Sequence, residues 1–395
     1  MKKKTILLIA VLLFYVQFIV SFLAPRILVP THGAMSYEDF LLNINLPRAV
    51  ERFAYFDGLH YLKIAAEGYA TNSRAFFPLY PLLIHFVSGI TPLDSVSAGF
   101  LISFFSCIGF IYLFGVLLKE VGIEQKKIVW ALLFLCLFPT AFFFRVLYTE
   151  SLFMFLMFAT FLCIYKRKYG LGFVLGTFVG LAKLVGFFLV VPLFFFTINW
   201  DFAKSFKNNF HDTIKKIVSK PLTSMSILGP IAGFALYAGY LYQTTGDPIK
   251  FFTEQPDFGA NRSTHIILLP QVIYRYIKIF ITAQLNFQYA IALFEFVMFF
   301  LAMICLVVDL KTIYKTKVKN QSIRLGFNLF GWICLLLPTL TGTLSSVPRY
   351  ILPIFSMFIV LGSIRSTKVK IVVAVIFFLA QIVFSIFFFS GYFVS

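Results

Sequence analysis

The chain has 395 residues, 60% of them hydrophobic and only 13% charged, with a mean hydropathy of +0.90. Soluble domains carry about a quarter charged residues, which excludes that class. Repeated uncharged runs of about 20 residues, each able to cross roughly 30 Å of hydrocarbon, point instead to an all-α polytopic membrane protein rather than a barrel of short alternating segments.

The net charge of +18 does not signal nucleic acid. Roughly two-thirds of the Lys and Arg fall in one set of loops, the asymmetry expected of cytoplasmic loops. There they would meet the anionic headgroups of membrane lipids.

In chain order, Lys2–Lys4 precede the apolar run Thr5–Ala24. That run is too long for a signal-peptide core, and Phe22 stands where cleavage would need a small residue. We read it as a retained first span with a cytoplasmic N-terminus. Residues 25–94 form a large first extracytoplasmic loop with helical patches at 47–67 and 78–90. Further spans fall at 95–118, 128–145, 149–165, 170–182, 184–199, 222–243, 285–308, 325–343, 350–364 and 371–391. That makes eleven, in a single membrane domain whose C-terminus lies outside. The loops Lys119–Lys127, Lys166–Lys168, Asp201–Lys220, Asp309–Arg324 and Arg365–Lys370 then share the cytoplasmic side, and 244–284 forms a second large outer loop. Lys183 interrupts the apolar stretch 170–199. Two short spans meeting at an outward-facing Lys183 preserve the count, whereas one tilted span would reverse the C-terminus.

Cys107, Cys136, Cys163, Cys305 and Cys334 all lie in apolar runs without CxxC spacing. They read as packing residues, not as a disulfide framework or a zinc site.

The chemistry gathers in Glu51–Pro81, ERFAYFDGLHYLKIAAEGYATNSRAFFPLYP. Asp57 and His60 are three residues apart and share a face if helical. An aspartate among aromatics has a raised pKa and suits general-base work, although an ion-paired loop aspartate has the same local sequence. His60 either orients Asp57, hydrogen-bonds a sugar, or is structural. Charges at span ends are costly unless wet or paired. Those on the outer side are Arg145, Glu150, Lys183 and Arg349. Arg349, Lys183 and Arg74 are candidates for a phosphate, or else snorkel to the interface. Glu150, beside Tyr148, could bind substrate or simply pair with Arg145. The outer loop adds Asp247, Gln255, Asp257 and Arg262. Glu295 lies within a span without an evident partner.

HExxH, GxxxxGK[ST], GxSxG and DxD are all absent. A zinc hydrolase, a P-loop ATPase and a DxD-metal sugar transfer are therefore unsupported, and no cofactor or metal is expected.

The segments FDGLHYLKIAAEGY, AFFPLYPLL, LYTESLF, GDPIKFFTEQ and VPRYILPIF, in that order, resemble the PIG-V-like mannosyltransferases of the GT-C class. Phe56 stands where that family usually has Trp, and Phe258–Gly259 replaces a Trp-Gly pair. The resemblance implies a GT-C-type fold and transfer of a hexose, mannose by family, from a polyprenyl- or dolichyl-phosphate donor to a glycolipid or glycan acceptor. Asp57 would be the base, His60 its orienter, and Arg349 or Lys183 the phosphate ligand. Arg74, Tyr148, Glu150, Asp247, Gln255 and Tyr350 are the further candidate substrate contacts. The expected location is the plasma membrane in a bacterium or the endoplasmic reticulum in a eukaryote. A lipid or glycan transporter would share the composition but should show internal repeats and polar groups near the midplane. A scaffold would leave Asp57 and His60 without a task.

Overall fold

The computed structural model describes residues 3–31, 46–198, 200, 207–209, 215, 219, 221–258, 262–315 and 320–394, with no strand among them. Most of the expected loop Asp201–Lys220 lies outside the described residues, as does Gly259. The helices of eight or more residues are α1 (Lys3–Ile27), α2 (Asp57–Glu67), α3 (Leu79–Ile90), α4 (Ser95–Val121), α5 (Gln125–Leu137), α6 (Glu150–Tyr165) and α7 (Tyr169–Ala182), followed by α8 (Val190–Ile198), α9 (Pro221–Thr245), α10 (Leu269–Thr282), α11 (Phe287–Lys315), α12 (Gln321–Leu336), α13 (Phe355–Gly362) and α14 (Thr367–Phe389). Among the described residues, six helical segments are long and apolar enough to cross a membrane: α1, α4, α9, α11, α12 with the turn after it, and α14. The protein is a multi-pass integral membrane protein.

Several expected spans are broken rather than continuous, two of them beside a proline. The 128–145 run is α5 followed by a 3₁₀ turn at Ala141–Phe144. Phe138 precedes Pro139 and is extended (φ −53, ψ 143), as the proline ring demands. This frees buried carbonyls at the end of α5, and the Gln381 amide of α14 donates to those of Cys136 (3.1 Å) and Phe138 (2.8 Å). The 350–364 run, interrupted by Pro353, becomes Val347–Tyr350 and α13. The chain is extended at Lys183 (φ −162, ψ 148), where α7 ends and the short helix Leu184–Phe187 begins. Two helices therefore meet at that lysine.

Asp309 and Arg324, expected in a loop, are instead buried within α11 and α12. Their side chains pair with each other, and Asn328 donates to the same carboxylate at 3.1 Å. A charge removed from water needs such partners.

The core is aromatic. Phe114 stacks on Phe158 at 4.9 Å, and Phe355 meets both edge-on while also packing on Phe327 at 4.4 Å. This cluster ties α4, α6, α12 and α13 together. A different device joins α7 to α9. Gly176 and Gly180 face Gly229, Pro230 and Gly233, and a Cβ at Gly180 would lie 2.2 Å from the Pro230 carbonyl oxygen. At Gly233 it would lie 2.0 Å from that of Thr177. Small residues let the two backbones touch, as is common between membrane helices.

These contacts give the molecule two ends. Tyr165, Glu120 and Asn320 meet at one, and Trp200 bonds Ser322 beside them. The other end, roughly 24 Å away along the sixteen residues of α6, gathers the start of α6, the end of α7 and the starts of α2 and Val347–Tyr350. The candidate site lies there.

Candidate active site

Asp57 opens α2. The residue before it, Phe56, has φ 55 and ψ −117, a conformation costly for a side chain with a Cβ. Ring packing of Phe56 on Phe388 (5.4 Å) and Phe393 (5.7 Å) holds it there. Five non-glycine residues among those described have positive φ, and three of them (Phe56, Asn72 and Ser346) line one cavity. Strain is concentrated where side chains must be aimed.

Tyr148 fixes the entry to α2. Its buried hydroxyl accepts from the Asp57 backbone N–H (3.1 Å) and donates to the Tyr55 carbonyl (3.2 Å). Ser346 (φ 67) plays the corresponding part before Val347–Tyr350 and so directs Arg349.

The cavity has a volume of about 660 Å³, within the range of small-molecule sites. Its polar wall brings together Asp57, His60, Glu150, Lys183, Gln255, Arg262, Arg349 and Tyr350; Ile266, Leu337, Leu340 and Phe393 form an apolar wall. Arg349 Nη1 donates to Asp57 Oδ2 at 2.5 Å, and its Nε lies 3.4 Å from Glu150 Oε1. Lys183 Nζ donates to the same Glu150 oxygen at 2.8 Å and sits 4.7 Å from the centre of the Tyr350 ring. Arg349 also lies over Phe143 and Tyr148. His60 stacks on Phe76 with ring centres 4.7 Å apart. Arg262 donates to Gln255 Oε1 (3.1 Å) and Ser346 Oγ (3.2 Å).

Two expectations need correction. The aromatic setting of Asp57 does not leave its pKa raised. Burial pushes it up, but the charge and hydrogen bond of Arg349, with smaller contributions from His60 and Arg262, together hold the carboxyl below the ordinary aspartate value. The same pairing, with Glu150, holds the Arg349 guanidinium well above its usual range against burial. Glu150, in turn, does not pair with Arg145. The buried Arg145 turns to Gln17 of α1, with Nε and Nη2 each 3.3 Å from its Oε1. For His60, burial lowers the pKa and Asp57 opposes it only in part, so the ring is neutral at pH 7.

Arg74 and Asp247 do not line the cavity. Arg74 forms an ion pair with the buried Glu254 (2.9 Å), whose other oxygen accepts the Arg74 backbone N–H at 2.8 Å. This ties the 249–258 segment to the loop before α3. Asp247 accepts from the Ile249 N–H at 3.0 Å and builds a local turn. The sequence reading overlooked Glu254, Ser346 and Thr149, each next to or near a residue singled out. It left Glu295 without a partner, and the structure supplies one: Tyr276 Oη donates to Glu295 Oε2 at 2.6 Å. Among the described residues no group of three or more His, Cys, Asp or Glu is placed to hold a metal ion.

The family model described as mannosyltransferase (PIG-V) matches residues 3–279. Among solved structures, the Archaeoglobus fulgidus oligosaccharyltransferase, crystallised in complex with Zn and sulfate, is similar over 95% of this chain at 13% identity and a TM-score of 0.41, a likeness too slight to argue from. The chain covers 53% of that protein's length. No curated protein matches.

Proposed function

The chain belongs to the PIG-V mannosyltransferase family, and from that premise we propose that it transfers a hexose, mannose by family, from a polyprenyl- or dolichyl-phosphate donor to a glycolipid or glycan acceptor on the extracytoplasmic face. Asp57 would be the general base. The observation that carries this reading is the Asp57 carboxylate set on the cavity wall beside Arg349. Among the described residues it is tied through one oxygen, Oδ2, to Arg349, which leaves Oδ1 for an acceptor hydroxyl.

The step balances with the groups present. The acceptor oxygen forms a bond to the anomeric carbon as the bond from that carbon to the phosphate oxygen breaks. The acceptor proton passes to Asp57, and the bonding electrons leave with the phosphate, which gains one negative charge. A phosphate leaves without a strong acid, so one carboxylate suffices, and a single displacement inverts the anomeric centre. Three cations (Lys183, Arg262 and Arg349) face two carboxylates (Asp57 and Glu150) in the cavity, a surplus suited to an anionic donor. Arg349 keeps Asp57 charged and aimed, and His60, neutral and stacked on Phe76, offers a hydrogen bond to a sugar hydroxyl. We keep the GT-C-type fold as part of this reading.

The test is purified protein in lipid nanodiscs with radiolabelled polyprenyl phosphate mannose and a mixed glycolipid acceptor pool. Label transferred to acceptor, dependent on Asp57, supports the reading. Donor that crosses or binds without any transfer would favour a transporter.

A further inference from the structure

We propose that Arg262 is the residue that binds the phosphate of the lipid-linked donor, and that Glu295 is the positioning residue behind it. The assignment rests on the function proposed above and departs from the sequence expectation of Arg349, Lys183 or Arg74 in that role.

The partners of each cation decide the matter. Lys183 is neutralised by Glu150 at 2.8 Å, and Arg349 by Asp57 at 2.5 Å with Glu150 beyond it. Arg74 is paired with Glu254 away from the cavity. The hydrogen bonds of Arg262 among the described residues go to two neutral oxygens, Gln255 Oε1 and Ser346 Oγ. They fix the plane of its guanidinium without cancelling its charge. A guanidinium has five N–H donors, so the fork still has hydrogens for a bidentate phosphate.

What lies behind Arg262 is also built. Glu295 is 4% exposed, and one of its oxygens takes the Tyr276 hydroxyl at 2.6 Å. The same hydroxyl accepts the Leu344 backbone N–H at 3.1 Å. This chain braces the turn that ends in Ser346, whose positive φ of 67 aims its hydroxyl at Arg262. Through space, Arg349 repels Arg262 while Asp57 and, more weakly, Glu295 attract it. Glu295, held one layer back and off the cavity wall, thus acts on Arg262 through the turn that presents Ser346 to it. Beside Arg262 the wall turns apolar at Ile266 and Leu340, a setting for the first isoprene units next to a phosphate.

The leaving phosphate gains a charge as the sugar departs. A fixed guanidinium therefore holds the product more tightly than the donor and lowers the barrier as well as aiding binding.

The experiment uses full-length protein in nanodiscs, with polyprenyl phosphate (the leaving product) as the probe, its affinity measured apart from turnover. Arg262→Gln should weaken polyprenyl phosphate binding about 10- to 100-fold, the range for a hydrogen-bonded charged pair. Arg262→Lys should fall between, keeping charge but losing the fork, and it serves as the test if Arg262→Gln does not fold. Glu295→Gln should raise the donor KM with most of kcat retained at saturating donor, and Glu295→Asp should recover part of that KM. A folded Arg262→Gln, or failing that Arg262→Lys, that binds polyprenyl phosphate within threefold of the parent overturns the proposal. A Glu295→Gln that lowers only folded yield, with KM unchanged, overturns the positioning role. If the parent transfers no sugar yet binds polyprenyl phosphate in an Arg262-dependent way, the transferase reading fails and the phosphate site stands.

Discussion

Replacing Asp57 with Asn keeps the side chain's shape and removes a proton acceptor together with the negative charge that faces Arg349. The Tyr148 hydroxyl contacts the backbone N–H of residue 57, not its side chain, so the start of α2 survives. Arg349 loses its 2.5 Å partner but keeps Glu150 at 3.4 Å and its place over the Phe143 and Tyr148 rings. The guanidinium is thus not stranded, and the stability cost should resemble one hydrogen bond to a charged group, about 1.5–3 kcal/mol. The rate effect is larger. Loss of a positioned base costs about 10²–10⁴ in turnover, or roughly 3–5 kcal/mol at 1.36 kcal/mol per tenfold. Asp57→Glu should retain little, because displacing the carboxylate by about 1 Å costs on the order of 10². The assay is turnover at saturating donor and acceptor, normalised to folded protein, with donor binding measured separately. Asp57→Asn turning over within tenfold of the parent would refute the base assignment and leave the Arg349 pair as architecture alone.

pH supplies an independent check with a definite sign. Arg349 depresses the Asp57 pKa, so the base stays ionised below the ordinary value of 3.8. The stability the pair contributes is complete above that value and is lost as pH falls through the lower folded-state pKa; turnover should show no acid limb from Asp57 between pH 4 and neutrality, and Arg349→Gln, which removes the main opposition to burial, should shift the limb upward. His60→Ala should cost less than Asp57→Asn, since it removes a stacked, neutral ring rather than the acceptor; a larger loss in kcat would make His60 the base. Gly180→Ala should lower the thermal transition in detergent by about 1–3 kcal/mol of stability, because its methyl would strike a backbone oxygen at 2.2 Å; an unchanged transition would mean the helices are looser than described. Cysteines at exposed His265 and Arg167 should be labelled from opposite sides of the membrane, 265 from outside; outside labelling of 167 would overturn the proposed sidedness.

Local sequence carried the helices because apolar run length and proline are local signals. The patches 47–67 and 78–90, the break at Lys183 and the shared face of Asp57 and His60 all depend on neighbours within a few residues. The pairings did not have that advantage. Arg349 and Asp57 are 292 residues apart, and Arg74 and Glu254 are 180 apart. No periodicity links such positions, so the nearer Arg145 looked like the partner of Glu150. The depressed pKa of Asp57 follows from the same distant contact. Asp247 is different, because its role was written locally. Thr245–Gly246–Asp247–Pro248 is a turn sequence, with an aspartate able to cap its own backbone two residues on.

The glycine seam between α7 and α9 bears on how a lipid can reach the cavity. Gly180 touches the backbone of Pro230 and Phe234 only three residues before Lys183. No side chain lies in that contact to swing aside, so no change of rotamer opens a lateral gap there, and the lysine is anchored by main chain. The apolar wall of the cavity, by contrast, is lined by side chains, among them Ile266, Leu340 and Phe393. Side chains exchange rotamers in nanoseconds, whereas parting two touching helices takes a collective motion thousands of times slower. On the proposed function, a long hydrocarbon tail would enter past those side chains rather than through the seam, and Lys183 would stand at the end of the part that moves least.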